Sequence, residues 1–156
     1  MIATLTATDI AHLRHATELA EAAAQHGNRP FGATIIDRNG KPLAEAENSV
    51  LTDDDIAAHA ELNAIRIACR AGLQRQLAGA TIYASAEPCP MCTGVILRFG
   101  LRRVVYGSSW DTILPALGDQ PPVVHVASKD IAAHSPQEIT VIGPCGSVLT
   151  SGSVST

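Results

Sequence analysis

Apolar residues recur at helical spacing near the start of the chain. The apolar side of the predicted helix is formed by Ile10, Leu13, Ala16, Ala20 and Ala24. Thr8 or Asp9 can cap this helix, and Gly27 marks its end. Because only one side is apolar, we expect the helix to lie on a sheet.

A short β-branched segment follows the first helix. Residues 33–37 (ATIID) predict a strand, and the next four residues, 38–41, contain the Asn-Gly pair that is typical of a tight turn. The chain then returns as a second strand over 42–49. These three segments together predict a β-hairpin.

Helices and strands alternate after the hairpin. The predicted elements are a helix over 57–71, a strand over 81–85, a helix over 89–99, a strand over 103–106 and a last strand over 138–142. Gly72 and Gly100 end the two helices. This order predicts an α/β fold, a three-layer α/β/α sandwich with a central mixed sheet of about five strands and right-handed crossovers.

Composition supports one domain. The chain has 156 residues, of which 46% are hydrophobic and 3% aromatic, so small aliphatic side chains form the core and a β-sandwich is disfavoured. We predict a single domain over 1–142. Residues 143–156 (GPCGSVLTSGSVST) have no helical period, which predicts a tail that is loose or ordered only by a neighbour.

Charge and hydropathy narrow the partners. The net charge of −4 gives no long-range attraction to a phosphate backbone, so nucleic-acid binding would need a local basic patch. The one basic cluster, Arg98, Arg102 and Arg103, is interpreted as a solvated face or as a dimer or phosphate contact.

No apolar segment reaches the roughly 20 residues that span a bilayer, and no secretory signal is recognisable at the start, which predicts a cytoplasmic protein.

Two of the four cysteines form a close pair. Cys89 and Cys92 stand at i and i+3 at the start of a predicted helix, where free N–H groups and the helix dipole favour thiolates. Four cysteines are too few for a disulfide scaffold. Taken alone, the pair is equally compatible with a metal site and with a thioredoxin-like redox site.

A second motif lies 30 residues upstream, at the start of another predicted helix: His59-Ala60-Glu61. One imidazole and two thiolates make three zinc ligands, and a fourth position left to water is the catalytic arrangement. Glu61 can take a proton from that water and deliver it to a substrate. The two motifs together favour one zinc ion per chain, and they predict hydrolytic deamination of an amino-substituted ring.

The paired motifs resemble those of the zinc-dependent deaminases. The sequence over residues 8–118 is similar to the cytidine and deoxycytidylate deaminase superfamily, and most of all to guanine deaminases and cytosine-type relatives. The similarity lies in Pro30-Phe31-Gly32-Ala33, in Asn48, in HAELNAIR over 59–66 and in ASAEPCPMC over 84–92. The resemblance implies zinc on His59, Cys89 and Cys92, a proton shuttle at Glu61 and a hydrogen bond from Asn48 to the base. It also implies a homodimer whose pocket borrows residues from the partner.

Other substrate contacts are predicted less directly. Phe31 either stacks on a flat ring or belongs to the core, and Trp110 either lines the pocket mouth or anchors a dimer. Ala60 lies between the ligand and the shuttle, and Asp119 sits in a stretch similar to a Gly-Phe-Asp segment of the family. Guanine deaminases usually end in a helix with aromatic and acidic residues that can close the pocket, and the tail here departs from that pattern. We expect a free nucleobase as substrate, guanine first, then cytosine, isoguanine or a related ring.

Three alternatives stay open. A tRNA adenosine deaminase shares the motifs but must hold a folded RNA arm on a basic surface. A thiol redox module that uses Cys89 and Cys92 would keep its activity in chelators and without His59. A non-catalytic, zinc-stabilised interaction domain would bind metal and release no ammonia.

Overall fold

Five strands form one mixed sheet in the order β2-β1-β3-β4-β5. The structure is a computed structural model and describes residues 4–119 and 122–150. The strands are β1 (Gly32–Ile36), β2 (Pro42–Glu47), β3 (Thr81–Ala86), β4 (Arg103–Ser108) and β5 (Thr140–Ile142). β1 pairs antiparallel with β2 and β3, whereas β3, β4 and β5 run parallel. The predicted hairpin and mixed five-stranded sheet are confirmed.

Helices cover both faces of this sheet. They are α1 (Ala7–Gln25), α2 (Ala60–Arg70), α3 (Pro90–Arg98), α4 (Trp110–Ile113), α5 (Ser128–Ala132) and α6 (Gly146–Thr150), with 3-10 turns at Gln74–Leu77 and Leu114–Ala116. α2 and α3 pack on one face, and α1 and α6 pack on the other, which confirms the three layers. None of the helices in the described ranges is long and apolar enough to cross a membrane.

The inner strand β1 is buried on both of its sides and shows why the sheet needs helices on both faces. All five of its residues are buried, with Ile35 in the core on the α2 face and Ile36 in the core on the α1 face. Gly32 lets α1 approach closely, because a Cβ atom there would lie 2.3 Å from the carbonyl oxygen of Ala16. The sheet is therefore a rigid platform for the loops at its ends.

The start of α1 differs from the prediction, which placed the cap at Thr8 or Asp9. Thr6 is the N-cap, and its hydroxyl accepts from the N–H of Asp9 at 3.1 Å, while its own N–H donates to Asp9 Oδ2 at 2.9 Å. Asp9 is only 4% exposed and also accepts from both terminal nitrogens of Arg103, at 2.6 and 2.9 Å, and from the hydroxyl of Tyr83 at 2.7 Å. The residue expected to cap the helix therefore ties it to β3 and β4.

This buried carboxylate predicts an acid-sensitive contribution to stability. Burial alone would raise the pKa of Asp9, but the hydrogen bonds from Arg103, Thr6 and Tyr83 outweigh it and hold the pKa well below its usual range. Since the unfolded pKa is about 3.9, the stabilisation is complete above that pH and is lost as the pH falls below it. Asp9→Asn should lower the free energy of unfolding by about 3 kcal/mol at pH 7, because Arg103 loses its counter-ion.

Urea denaturation at pH 7 and at pH 3 checks this expectation, and the difference between wild type and variant should shrink at the lower pH. Glu18→Gln, which removes an exposed carboxylate of α1 beside His15, is the matched control and should change the free energy by less than about 0.5 kcal/mol. An equal loss from Asp9→Asn at both pH values would contradict the assignment.

The basic cluster predicted at Arg98, Arg102 and Arg103 does not form one shared surface. Arg103 is bound to Asp9, Arg102 donates to the carbonyl of Glu138 at 3.0 Å, and Arg98 is exposed in the last turn of α3. Arg102 is exposed as well, so a solvated face describes Arg98 and Arg102 but not Arg103.

Composition predicts a loose tail from residue 143 onwards, and within the described residues Gly146–Thr150 form the short helix α6. Cys145 is buried and packs with Leu149 of α6 against Tyr83 and Val105. This short helix is stabilised by packing against the α1 face of the sheet and not by an amphipathic pattern of its own. The sequence therefore shows no helical period here. Residues 151–156 lie outside the described residues, so a loose tail there stays a prediction.

Candidate metal and substrate site

Two helix N-termini meet beside the carboxyl end of β3. His59 is the N-cap of α2 and Cys89 is the N-cap of α3, and both have extended backbone angles. α2 begins at Ala60, three residues later than predicted, because residues 50–57 form a looped segment in which the carboxylate of Asp55 accepts from the N–H of Ala57. The positive ends of both helix dipoles thus point to one place, where they favour thiolates.

The three predicted metal ligands come together there. His59 Nδ1 lies 3.5 Å from Cys89 Sγ and 3.4 Å from Cys92 Sγ, and all three ligand atoms fall within 4.8 Å of one another. Atoms that share a tetrahedral zinc ion at bond lengths near 2.1 and 2.3 Å lie roughly 3.6 Å apart. The donor set and the spacing therefore fit one zinc ion, and no further His, Cys, Asp or Glu of the described residues joins the group.

The two thiols differ in acidity. A hydrogen bond from Cys92 lowers the pKa of Cys89 to about 4 against the opposing effect of burial, with a second contribution from His59. The same hydrogen bond and burial raise the pKa of the Cys92 thiol. The hydrogen bond to Cys89 likewise raises the pKa of His59. The site thus holds a thiolate at neutral pH, which is the form that binds zinc.

Glu61 stands next to this group without belonging to it. Its carboxylate is 8% exposed, and Oε2 lies 3.6 Å from the sulfur of Cys92, which donates to it. Burial raises the pKa of Glu61 to about 7. A carboxyl group in this position can exchange protons with a ligand in the cavity beside it.

A cavity of about 410 Å³ opens onto the metal group. Its lining includes the predicted residues His59, Glu61, Cys89, Asn48, Phe31 and Trp110. The sequence analysis gave Trp110 two alternative roles, a residue at the pocket mouth or an anchor of a dimer. In the structure Trp110 packs against Leu62, Cys89 and Cys92. The volume is in the range of small-molecule sites.

Asn48 is held by hydrogen bonds to the backbone of nearby residues. Its side-chain Oδ1 accepts from the backbone N–H of Val50 at 3.1 Å, and the backbone N–H of Asn48 donates to the carbonyl of Phe31 at 2.9 Å. The residue is 2% exposed and lines the cavity. Its amide nitrogen is a donor, and Oδ1 keeps a second lone pair that can accept. Asn48 therefore ends the strand region and can offer both kinds of hydrogen bond to a ligand.

Two predicted contacts are not among the cavity-lining residues. The methyl group of Ala60 lies in the main core between α2 and the sheet. Asp119 is exposed at the end of the segment that follows the second 3-10 turn. A contact of either residue with the substrate stays a prediction.

One side of the cavity is apolar and, apart from Trp110, comes from residues that the sequence did not single out. We call this set the apolar wall, and it consists of Trp110, Leu114, Leu117, Pro122, Val123 and Val124. The short helix α6 packs on the opposite face of the sheet, and none of its described residues lines this cavity. The signal of the apolar wall in the sequence is weak, because short turns carry no period.

Glu87 is a second residue that the sequence left unremarked. It is 7% exposed and lines the cavity, and its Oε1 accepts from the N–H and the hydroxyl of Ser128 at 2.9 and 3.1 Å. Ser128 is 41 residues away in sequence, so no local sequence pattern predicts this hydrogen-bonded pair.

Comparison with known proteins gives concordant results. Residues 6–108 match the family model described as "Cytidine and deoxycytidylate deaminase zinc-binding region". A probable cytosine deaminase of Schizosaccharomyces pombe is 35% identical over 143 residues, which cover 90% of this chain and 86% of the relative. A tRNA-specific adenosine deaminase of Bacillus subtilis is 37% identical over 100 residues, which cover 64% of this chain and 62% of the relative. The X-ray structure of guanine deaminase from Bacillus subtilis superposes with a TM-score of 0.65 at 38% identity, covering 70% of this chain and 69% of that one.

Proposed function

The chain belongs to the cytidine and deoxycytidylate deaminase family of zinc-dependent enzymes, which hydrolyse C–N bonds, and we propose that it deaminates a free nucleobase or a closely related ring. Among free bases, guanine comes first and cytosine next. The observation that carries the proposal is the cavity. It has the size of a small-molecule site, and the apolar wall covers one side of it.

The lining suits a flat ring with polar edges. Phe31 and Trp110 offer aromatic faces, and Asn48 offers amide donors to a ring oxygen or nitrogen. Among the described lining residues Arg29 is the only Lys or Arg, and two carboxylates, Glu61 and Glu87, accompany it. A folded RNA arm would need a basic rim, which this composition does not favour.

The proposed chemistry uses four side chains. His59, Cys89 and Cys92 would hold the zinc ion, which would supply the activation that lets water attack a ring carbon at neutral pH. Glu61 takes one proton from the attacking water and gives it to the neighbouring ring nitrogen. It then takes the second proton, from the hydroxyl left on the ring carbon, and gives it to the leaving amine. The C–O bond forms, the C–N bond breaks, and the products are the ring carbonyl and ammonia.

A tRNA adenosine is the second candidate substrate, and the identity with the tRNA-specific relative favours it.

The homodimer implied by the resemblance stays a prediction. Exposed apolar side chains at the cavity lining, Ile56 at 69% and Val124 at 65%, support it, since a second copy would cover them.

Ammonia release from a panel of rings tests the proposal. We expect zinc-loaded protein to act on guanine or cytosine at least about a hundredfold faster than on the corresponding nucleoside, because the sugar must displace the apolar wall. Isoguanine and adenine complete the panel, and a tRNA anticodon arm is assayed in parallel. Deamination of the RNA with none of the free bases would overturn the proposal in favour of the second candidate.

A further inference from the structure

Glu87 is a buried carboxylate with one oxygen bound and one oxygen open. Oε1 accepts both hydrogen bonds from Ser128, and among the described residues Oε2 has no partner. No fully buried polar side-chain atom in the described part of the chain lacks a partner, so Oε2 is not fully buried. Glu87 lines the substrate cavity and also a neighbouring cavity of about 310 Å³ that shares the wall residue Trp110. The residue with the unpartnered oxygen therefore borders both cavities.

The carboxylate is held rigidly in this orientation. The N–H of Glu87 donates to the carbonyl of Ser108 at 2.8 Å, which fixes its backbone at the end of β4. The backbone N–H of Ser128 at the start of α5 fixes Oε1, and Ser128 is fully buried. A buried acceptor with a fixed direction discriminates strongly between ligands that have a donor at that point and ligands that lack one.

We propose that Glu87 is a specificity-determining residue whose open oxygen accepts the ring N–H that a free base carries where a nucleoside carries its sugar. This inference rests on the proposed function and names the group that selects the free base. Guanine and cytosine each have such an N–H, and methylation at that nitrogen removes it. Glu61 is the other carboxylate of the described lining, and the proposed chemistry assigns it to the ring nitrogen beside the reacting carbon.

Glu87→Gln is the sharpest variant, because Ser128 decides its orientation. The two donors of Ser128 need an acceptor, so the amide oxygen of the glutamine faces Ser128 and its NH₂ group faces the cavity. The shape of the side chain is unchanged while the cavity face turns from acceptor to donor. We expect kcat/KM for the free base to fall about tenfold or more.

The experiment measures kcat/KM for guanine against 9-methylguanine and for cytosine against 1-methylcytosine, in wild type and Glu87→Gln loaded with zinc. The wild type should prefer the free base, and the variant should lose at least about tenfold of that preference. Zinc content near one per chain and an unchanged melting temperature show that the variant is folded. Ser128→Ala, which keeps the backbone donor, is the matched control and should leave the preference within about threefold.

The outcomes separate the two proposals. A wild type that is active on a free base, with equal losses for base and methyl derivative in Glu87→Gln or with no loss, overturns the role of Glu87 alone. A wild type without preference for the free base over its methyl derivative overturns that role as well. A wild type that is inactive on every free base overturns the proposed function, and the role of Glu87 falls with it.

Discussion

Replacing Glu61 by glutamine is expected to lower the rate of ammonia release about a thousandfold or more while zinc content stays near one per chain. The carboxylate is buried beside the cavity, and Glu61 is outside the group of three ligand atoms. Glutamine has the same shape but cannot take up the proton that hydrolysis of the C–N bond must move. Steady-state kinetics on the best free base, together with metal analysis of the same sample, measures both quantities.

The matched control is Glu18→Gln, an exposed carboxylate on α1 that is remote from the cavity. It should leave both kcat and zinc content unchanged. Full activity in Glu61→Gln would remove the proton shuttle from the mechanism. Loss of zinc in that variant would show instead that Glu61 takes part in holding the metal.

Removal of Cys92 is expected to have the second large effect. Cys92 is fully buried, and its sulfur lies within contact of both His59 and Glu61. Cys92→Ala leaves one imidazole and one thiolate, which is one ligand fewer than a zinc site with an open position requires. We expect zinc below about 0.1 per chain, ammonia release below detection and a lower melting temperature, since a metal that binds only the folded state stabilises it.

Cys69→Ala provides a cysteine control on α2, where the side chain packs against the main core. It should keep zinc and activity. The same pair of variants tests the thiol redox alternative, because a redox module would lose disulfide reductase activity in Cys92→Ala and keep it in a chelator. Ammonia release that survives complete removal of zinc would contradict the metal assignment.

The metal group was predictable from sequence because each motif starts a helix. A residue at a helix start has its position set by local rules, so His59 and Cys89 could be placed on two N-termini before the fold was known. What brings them to 3.5 Å is the packing of α2 and α3 on the same face of the sheet. The local signals predicted the two helix starts, and the fold brings them together.

The substrate side was predicted less well, and the reason is physical. The apolar wall is built from a short helix and turns, whose apolar residues have no period. Glu87 is made rigid by Ser128, a contact between distant parts of the chain that no local pattern reveals. Asp119 looked suitable by its neighbours in sequence, yet the structure leaves its side chain exposed. Contacts of this kind depend on tertiary packing alone.

The construction of the apolar wall has an evolutionary consequence. Five of its residues contribute no strand to the sheet and are not among the three metal ligands: Leu114, Leu117, Pro122, Val123 and Val124. The sixth, Trp110, packs against Cys89 and Cys92. Replacements at the other five positions can alter which ring is accepted at little cost to folding or to hydrolysis. New substrate preferences can therefore arise by drift in one surface segment, and a mutant library confined to it is the economical route to engineered deaminases.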